Sequence, residues 1–314
     1  MKKQISSLLS ISSAVLVIAG IILGMFLPFL SSGIYGNATL INLLNLDGNI
    51  KGNVLAGVII YLGFLLAVLC IVSSTVDFFF SSKFKESFLR HLIIGVLMVF
   101  GLGFISLISP ILVDGGLAGG ISSEATIQMG AIISGVLFSL AGLVEIINGL
   151  LGLFKIKEKM EISNLMSLLS IFAIVATFLL MLAPCYISSN PIKTASFFDA
   201  ICYISGNKGA SFSPWILVLL SLSLVGEYTI FSLKACGLKS NYFRYLNIFF
   251  ALLLLTSSFM LWFGYFEFID FYSNAQIKNS GSYGYGCILT GLSSLLAIVP
   301  LGYIIATDKP VYED

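Results

Sequence analysis

The chain has 314 residues, of which 58% are hydrophobic and 10% charged, and its mean hydropathy is +1.04. So little polar surface cannot cover a soluble globule of this size, and the composition is that of an integral membrane protein. A net charge of +1 gives no basic field for nucleic acid, and one histidine with five scattered cysteines provides neither a bis-histidine haem site nor a C-x-x-C pair, so no cofactor or metal is expected.

In chain order, Lys2 and Lys3 precede an apolar run, Leu8–Leu30, that is long enough to span and lacks a small-residue cleavage site. It reads as a retained first helix. Seven further runs follow: Val54–Val76, His91–Val113, Met129–Phe154, Asn164–Ile187, Pro214–Lys234, Tyr245–Phe266 and Gly284–Ala306. All eight are expected to be helices, because in hydrocarbon each backbone N–H and C=O must be satisfied within its own segment. Basic residues set the orientation. With the N-terminus inside, Lys2, Lys3, Lys83, Lys85, Arg90, Lys155, Lys157, Lys159, Lys234, Lys239, Arg244 and Lys309 are cytoplasmic. Only Lys51, Lys193, Lys208 and Lys278 lie outside. The predicted protein is a multi-pass cell-membrane protein with both termini in the cytoplasm and the lipid bilayer as its first partner.

The outer loops carry most of the non-helical sequence. Thr39–Asn53 and Ala195–Ala210 each run from an apolar patch into a Gly-Asn-Lys-Gly-like turn. Leu40, Leu43, Leu44, Phe197, Phe198 and Ile201 are expected in short interfacial helices, facing lipid or the bundle. Pro28, Pro110 and Pro184 lie near outer helix ends, with Gly264 in the corresponding place of the fourth hairpin, where a missing N–H does least harm.

Internal repetition organises these elements. KESFLRHL (Lys85–Leu92) returns as KSNYFRYL (Lys239–Leu246), KQISSLLS (Lys3–Ser10) as MEISNLMS (Met160–Ser167), Pro28 as Pro184, and SLAGLVE (Ser139–Glu145) as SLLAIVP (Ser294–Pro300). The order and near-equal offsets predict two tandem parallel four-helix repeats, 1–157 and 158–314, each of two helix-loop-helix hairpins. Glycines 130, 135, 142, 149 and 152 predict close helix approach along the fourth span.

Candidate chemistry is confined to a few residues. Glu145, with Asn148 one turn on, and Glu227 are carboxylates deep in apolar helices, where an isolated charge costs at least about 2.5 kcal/mol. They form a candidate ion or proton site between the halves. The alternative is that each is neutral and only fixes packing. Lys85, Arg90, Lys239 and Arg244 read as headgroup anchors or a cytoplasmic docking surface, and His91 as an interfacial side chain near lipid phosphates. Cys185 and Cys202 share an outer loop and form a possible disulfide, with free thiols as the alternative. The sole histidine is on the wrong side for Cys185 or Cys202, no phosphate loop occurs, and no enzyme is expected. The expected function is a non-catalytic subunit or scaffold of a membrane complex; the alternative is a small-solute or ion transporter using Glu145 and Glu227.

Overall fold

Eight helices are long and apolar enough to cross a bilayer: Gln4–Phe26, Val54–Phe79, Glu86–Leu107, Met129–Leu153, Ile162–Leu180, Trp215–Ala235, Asn241–Trp262 and Tyr285–Thr307. The chain is an all-α polytopic membrane protein. The structure, a computed structural model, describes residues 2–32, 36–44, 50–80, 83, 85–114, 125–154, 161–189, 192–197, 213–274 and 281–307. The chain divides into two units, Met1–Lys159 and Met160–Asp314.

The N-terminal unit contains α1 (Lys2–Phe26), β1 (Leu30–Ser32), β2 (Gly36–Ala38), α2 (Leu40–Leu44), α3 (Ile50–Phe79) and α4 (Glu86–Val96). A π-helical stretch, Leu97–Gly103, carries α4 into α5 (Phe104–Leu107), after which come α6 (Ser109–Asp114), β3 (Thr126–Ile127) and α7 (Met129–Leu153). The long helices form a ring in which α1 packs on α3 and α7, and α4 packs on both as well. At one end of the ring lies a small antiparallel sheet of order β2-β1-β3, with Leu30 opposite both Ala38 and Ile127. Its existence follows from where α1 stops. Pro28 cannot continue the helix, and the carbonyls beyond α1 are taken up by partners, Pro28 O by Gly130 N–H at 2.7 Å and Phe29 O by Gln128 N–H at 3.1 Å. Gly36 supplies the positive φ, 59°, that lets β2 fold back. The short α2 turns Leu40 and Leu43 inward, and both are buried in the bundle.

Glycine sets the closest packing. A Cβ on Gly142 would stand 2.5 Å from Gly95 O, and one on Gly135 would stand 3.2 Å from Gly103 O, so α4 and α7 touch backbone to backbone. Seven residues separate the two glycines on α7, but eight separate Gly95 from Gly103. In a regular α-helix eight residues turn the face by roughly 80°, and the wider π turns absorb the extra residue so that both glycines meet α7.

The C-terminal unit contains α8 (Ile162–Leu180), β4 (Pro184–Ser189), β5 (Ile192–Ser196), α9 (Ser213–Ala235), α10 (Asn241–Asn274), β6 (Gly281–Tyr283) and α11 (Tyr285–Thr307). Here α8 packs on α9 and α11, and α10 packs on the same two helices. The antiparallel sheet has order β5-β4-β6. Two helices of this unit differ from expectation. The first ends at Leu180 rather than Ile187, because Pro184 begins a strand instead of sitting in a last helical turn. The other, α10, continues through Gly264 to Asn274. Interhelical hydroxyls tie the unit together: Ser170 Oγ donates to Ala297 O at 2.9 Å, Thr177 Oγ1 to Ser293 Oγ at 2.9 Å, and Ser258 Oγ to Ser294 Oγ at 2.7 Å. Each such bond contributes only about 0.6 kcal/mol on average in a membrane.

Candidate functional site

At the end of the N-terminal unit opposite its sheet, three helices bring charged side chains together in the interior. The last turn of α3 delivers Asp77, the first turns of α4 deliver Arg90 and His91, and α7 delivers Glu145 and Asn148. Arg90, His91 and Glu145 are fully buried, and Asp77 and Asn148 are 4% exposed. The amphipathic phase of α4 explains the arrangement, since its inward face runs through Glu86, Ser87, Arg90, His91, Ile94 and Gly95.

The contacts are closely set. Arg90 Nη2 donates to Asp77 Oδ1. His91 Nε2 lies 3.1 Å from Asp77 Oδ2, and Nδ1 lies 2.7 Å from Glu145 Oε2. A ring with a carboxylate at each nitrogen donates to both only as the imidazolium. Two carboxylates, one guanidinium and one imidazolium then sum to zero charge, which is the condition for keeping ions away from water at tolerable cost. Serines of α1 close the cluster: Ser6 Oγ reaches Asp77 Oδ2 at 2.7 Å and Asn148 Oδ1 at 2.9 Å, one proton serving either acceptor in turn. Asn148 Nδ2 returns to Ser6 O at 3.3 Å, and beside it Ser7 Oγ meets Ser74 Oγ at 2.7 Å. The buried Cys70 thiol of α3 lies near the Glu145 carboxylate.

This geometry corrects several sequence expectations. His91 is not an interfacial side chain, and Arg90 is not a headgroup anchor. Both lie on the buried face of α4, one turn inside its start, and their charges are used internally. Glu145 has basic company at its own depth, in His91. The similarity of KESFLRHL to KSNYFRYL does not extend to side-chain placement. Lys239 and Arg244 are exposed and Lys85 is half-buried, while inward burial on α10 begins only at Asn247. Asp77 was missed, because its carboxylate follows directly on the apolar run that closes at Val76. The sequence signal was a lone acid between Val76 and Phe78-Phe79, one short turn from an Arg-His pair.

Glu227 belongs to the C-terminal unit, on α9. It is fully buried, and neither carboxylate oxygen has a hydrogen-bond partner among the described residues. Its surroundings thus differ from those of Glu145. Cys185 is buried at the start of β4, its thiol 3.4 Å from Ala183 O; Cys202 lies outside the described residues, as do Phe198 and Ile201. Among the described residues no group of three or more His, Cys, Asp or Glu side chains could hold a metal ion. Comparison with protein-family models, with curated proteins and with solved structures returned no match.

Proposed function

We propose that this protein is a non-catalytic subunit or scaffold of a membrane complex, built as two tandem four-helix repeats in the cell membrane with both termini cytoplasmic. The observation that carries the reading is the mutually ion-paired Asp77–Arg90–His91–Glu145 cluster. Ionisable groups in a membrane interior ordinarily mark a pathway or a reaction centre. Here they balance one another inside a packed ring, which is how a rigid framework holds its helices in register. Its surface partners are lipid and other complex subunits, with no role for nucleic acid.

Support for the repeat comes from matched details. Ser13 Oγ donates to Ala141 O at 3.1 Å as Ser170 Oγ does to Ala297 O at 2.9 Å. Gly130 seats against Pro28 O as Gly286 seats against Pro184 O. Each unit also places its first strand centrally in a three-stranded sheet. The excess of basic residues on one set of loops supports the orientation.

Extraction in mild detergent followed by affinity purification tests the reading: stoichiometric co-purifying membrane proteins are expected. A chain that purifies alone and moves solute in liposomes would overturn it. One observation favours the second reading, a small-solute or ion transporter, and it is the unpartnered buried carboxylate of Glu227.

A further inference from the structure

The interior of the C-terminal unit contains a set of polar groups with no hydrogen-bond partner among the described residues. Asn164 and Ser167 on α8, Glu227 on α9 and Asn247 on α10 are all fully buried. Neither carboxylate oxygen of Glu227, neither amide atom of Asn164 or Asn247, and not the Ser167 hydroxyl, has a hydrogen-bond partner among the described residues. Buried polar atoms left unsatisfied cost about 1–3 kcal/mol each, and more when charged. So many in one bundle calls for an occupant.

They also share a level. A Cβ on Gly226 would collide with the Phe250 ring, Ser170 bonds Ala297 O, and Ser258 bonds Ser294. These contacts set the register of the antiparallel helices. Counting from them at about 1.5 Å per residue brings Asn164, Glu227 and Asn247 within roughly 5 Å of one level, with Ser167 one turn nearer the sheet. In a ring of four packed helices, fully buried side chains at one level are turned away from lipid, toward the axis or a neighbouring helix. The fourth helix, α11, places buried Leu301 and Ile304 near this level.

From these unpartnered groups at a shared level we infer that the C-terminal unit binds one monovalent alkali-metal cation, held by Glu227 with the side-chain oxygens of Asn164, Ser167 and Asn247. The donor set consists of oxygens only, once each amide turns its oxygen inward, which suits a hard cation. One carboxylate neutralises one positive charge. A divalent ion would leave an uncompensated charge, and Lys234, two turns along α9, already acts on Glu227 with positive charge. A proton alone would neutralise the carboxylate but leave both amides unsatisfied. The inference concerns binding alone, so it stands whether the chain is a scaffold or a transporter.

The full chain in lipid nanodiscs supplies the test, through its Tm in sodium, potassium or choline chloride at equal ionic strength. A saturable rise of several degrees in sodium or potassium over choline is expected, and the more effective ion identifies the occupant. Glu227→Gln, which keeps the shape and removes the charge, should lose the rise, and Asn164→Ala or Asn247→Ala should weaken apparent affinity about tenfold, the equivalent of one lost contact to a charged group. A wild-type Tm identical in all three salts overturns the inference, as does a rise that survives in Glu227→Gln. Should Glu227→Gln not fold, equilibrium dialysis with radiolabelled sodium and potassium decides. One ion per wild-type chain, bound more weakly by Asn247→Ala, supports the site; no bound ion removes it.

Discussion

At the scale of single residues, the N-terminal cluster holds its charges by reciprocity, so its members are unequal to the uncharged polar pairs around them. Asp77 is the hub, since Arg90, His91 and Ser6 all converge on its two oxygens. Asp77→Asn strands a guanidinium in the interior, and breaking a buried ion pair in this way costs about 3–5 kcal/mol. Ser7→Ala, which removes only the hydroxyl pair with Ser74, should cost about 0.6 kcal/mol. Thermal unfolding in detergent should therefore separate the two variants widely. The Asp77→Asn loss should also change little with added salt, because a pair shielded from solvent is hardly screened. His91→Gln and Glu145→Gln, alone and together, should show a coupling of about 1–3 kcal/mol in a double-mutant cycle, whereas additive effects would mean that the two side chains do not act on each other. Two of the five side chains of this site were legible in the sequence. Glu145 and Asn148 stood out because an ionised acid in the middle of an apolar run is costly enough to call for a partner. Their partners did not, because Arg90 and His91 fall at a helix start, where basic and aromatic residues ordinarily meet headgroups. Only the phase of α4 against α7 turns them inward, and that phase is tertiary information.

At the scale of elements, glycine placement decides which helices can meet and how closely. Gly142→Leu forces a side chain toward the Gly95 carbonyl, a backbone atom that cannot move aside, so α4 must separate from α7 and draw His91 away from Glu145. A marked loss of folded protein is expected, read by fluorescence-detected gel filtration. Gly302→Ala in α11 meets nothing within 4 Å and should be neutral or gain up to about 1 kcal/mol from reduced chain entropy. The glycine stripe and the eight spans could be read directly, because length and composition determine them. The sheets could not. Leu30–Ser32 and Gly36–Ala38 are too short to show alternation, and β1 finds its second partner in Thr126–Ile127, nearly a hundred residues on. The π-helical stretch was equally hidden, since the mismatch of seven against eight residues is visible only once the facing helix is known.

For the whole molecule, orientation is the property that the charge distribution predicts most directly. A fluorescent-protein fusion at either terminus should fluoresce, and a phosphatase fusion at either should be inactive, since both termini are expected in the cytoplasm. The reverse pattern at both ends would invert the proposed topology. The N-terminal cluster also bears on how the chain enters the membrane. Asp77 and Arg90 are 13 residues apart across one hairpin and can neutralise each other as that hairpin leaves the translocation machinery. Inserted singly, each would cost about 2.5–3.5 kcal/mol. Glu145 follows His91 by 54 residues, which at about 5–20 residues per second is roughly 3–10 s of synthesis. Assembly of the cluster is therefore ordered in time: the aspartate and arginine enter the bilayer as a pair, and the histidine waits for the last helix of its unit to bring the second carboxylate.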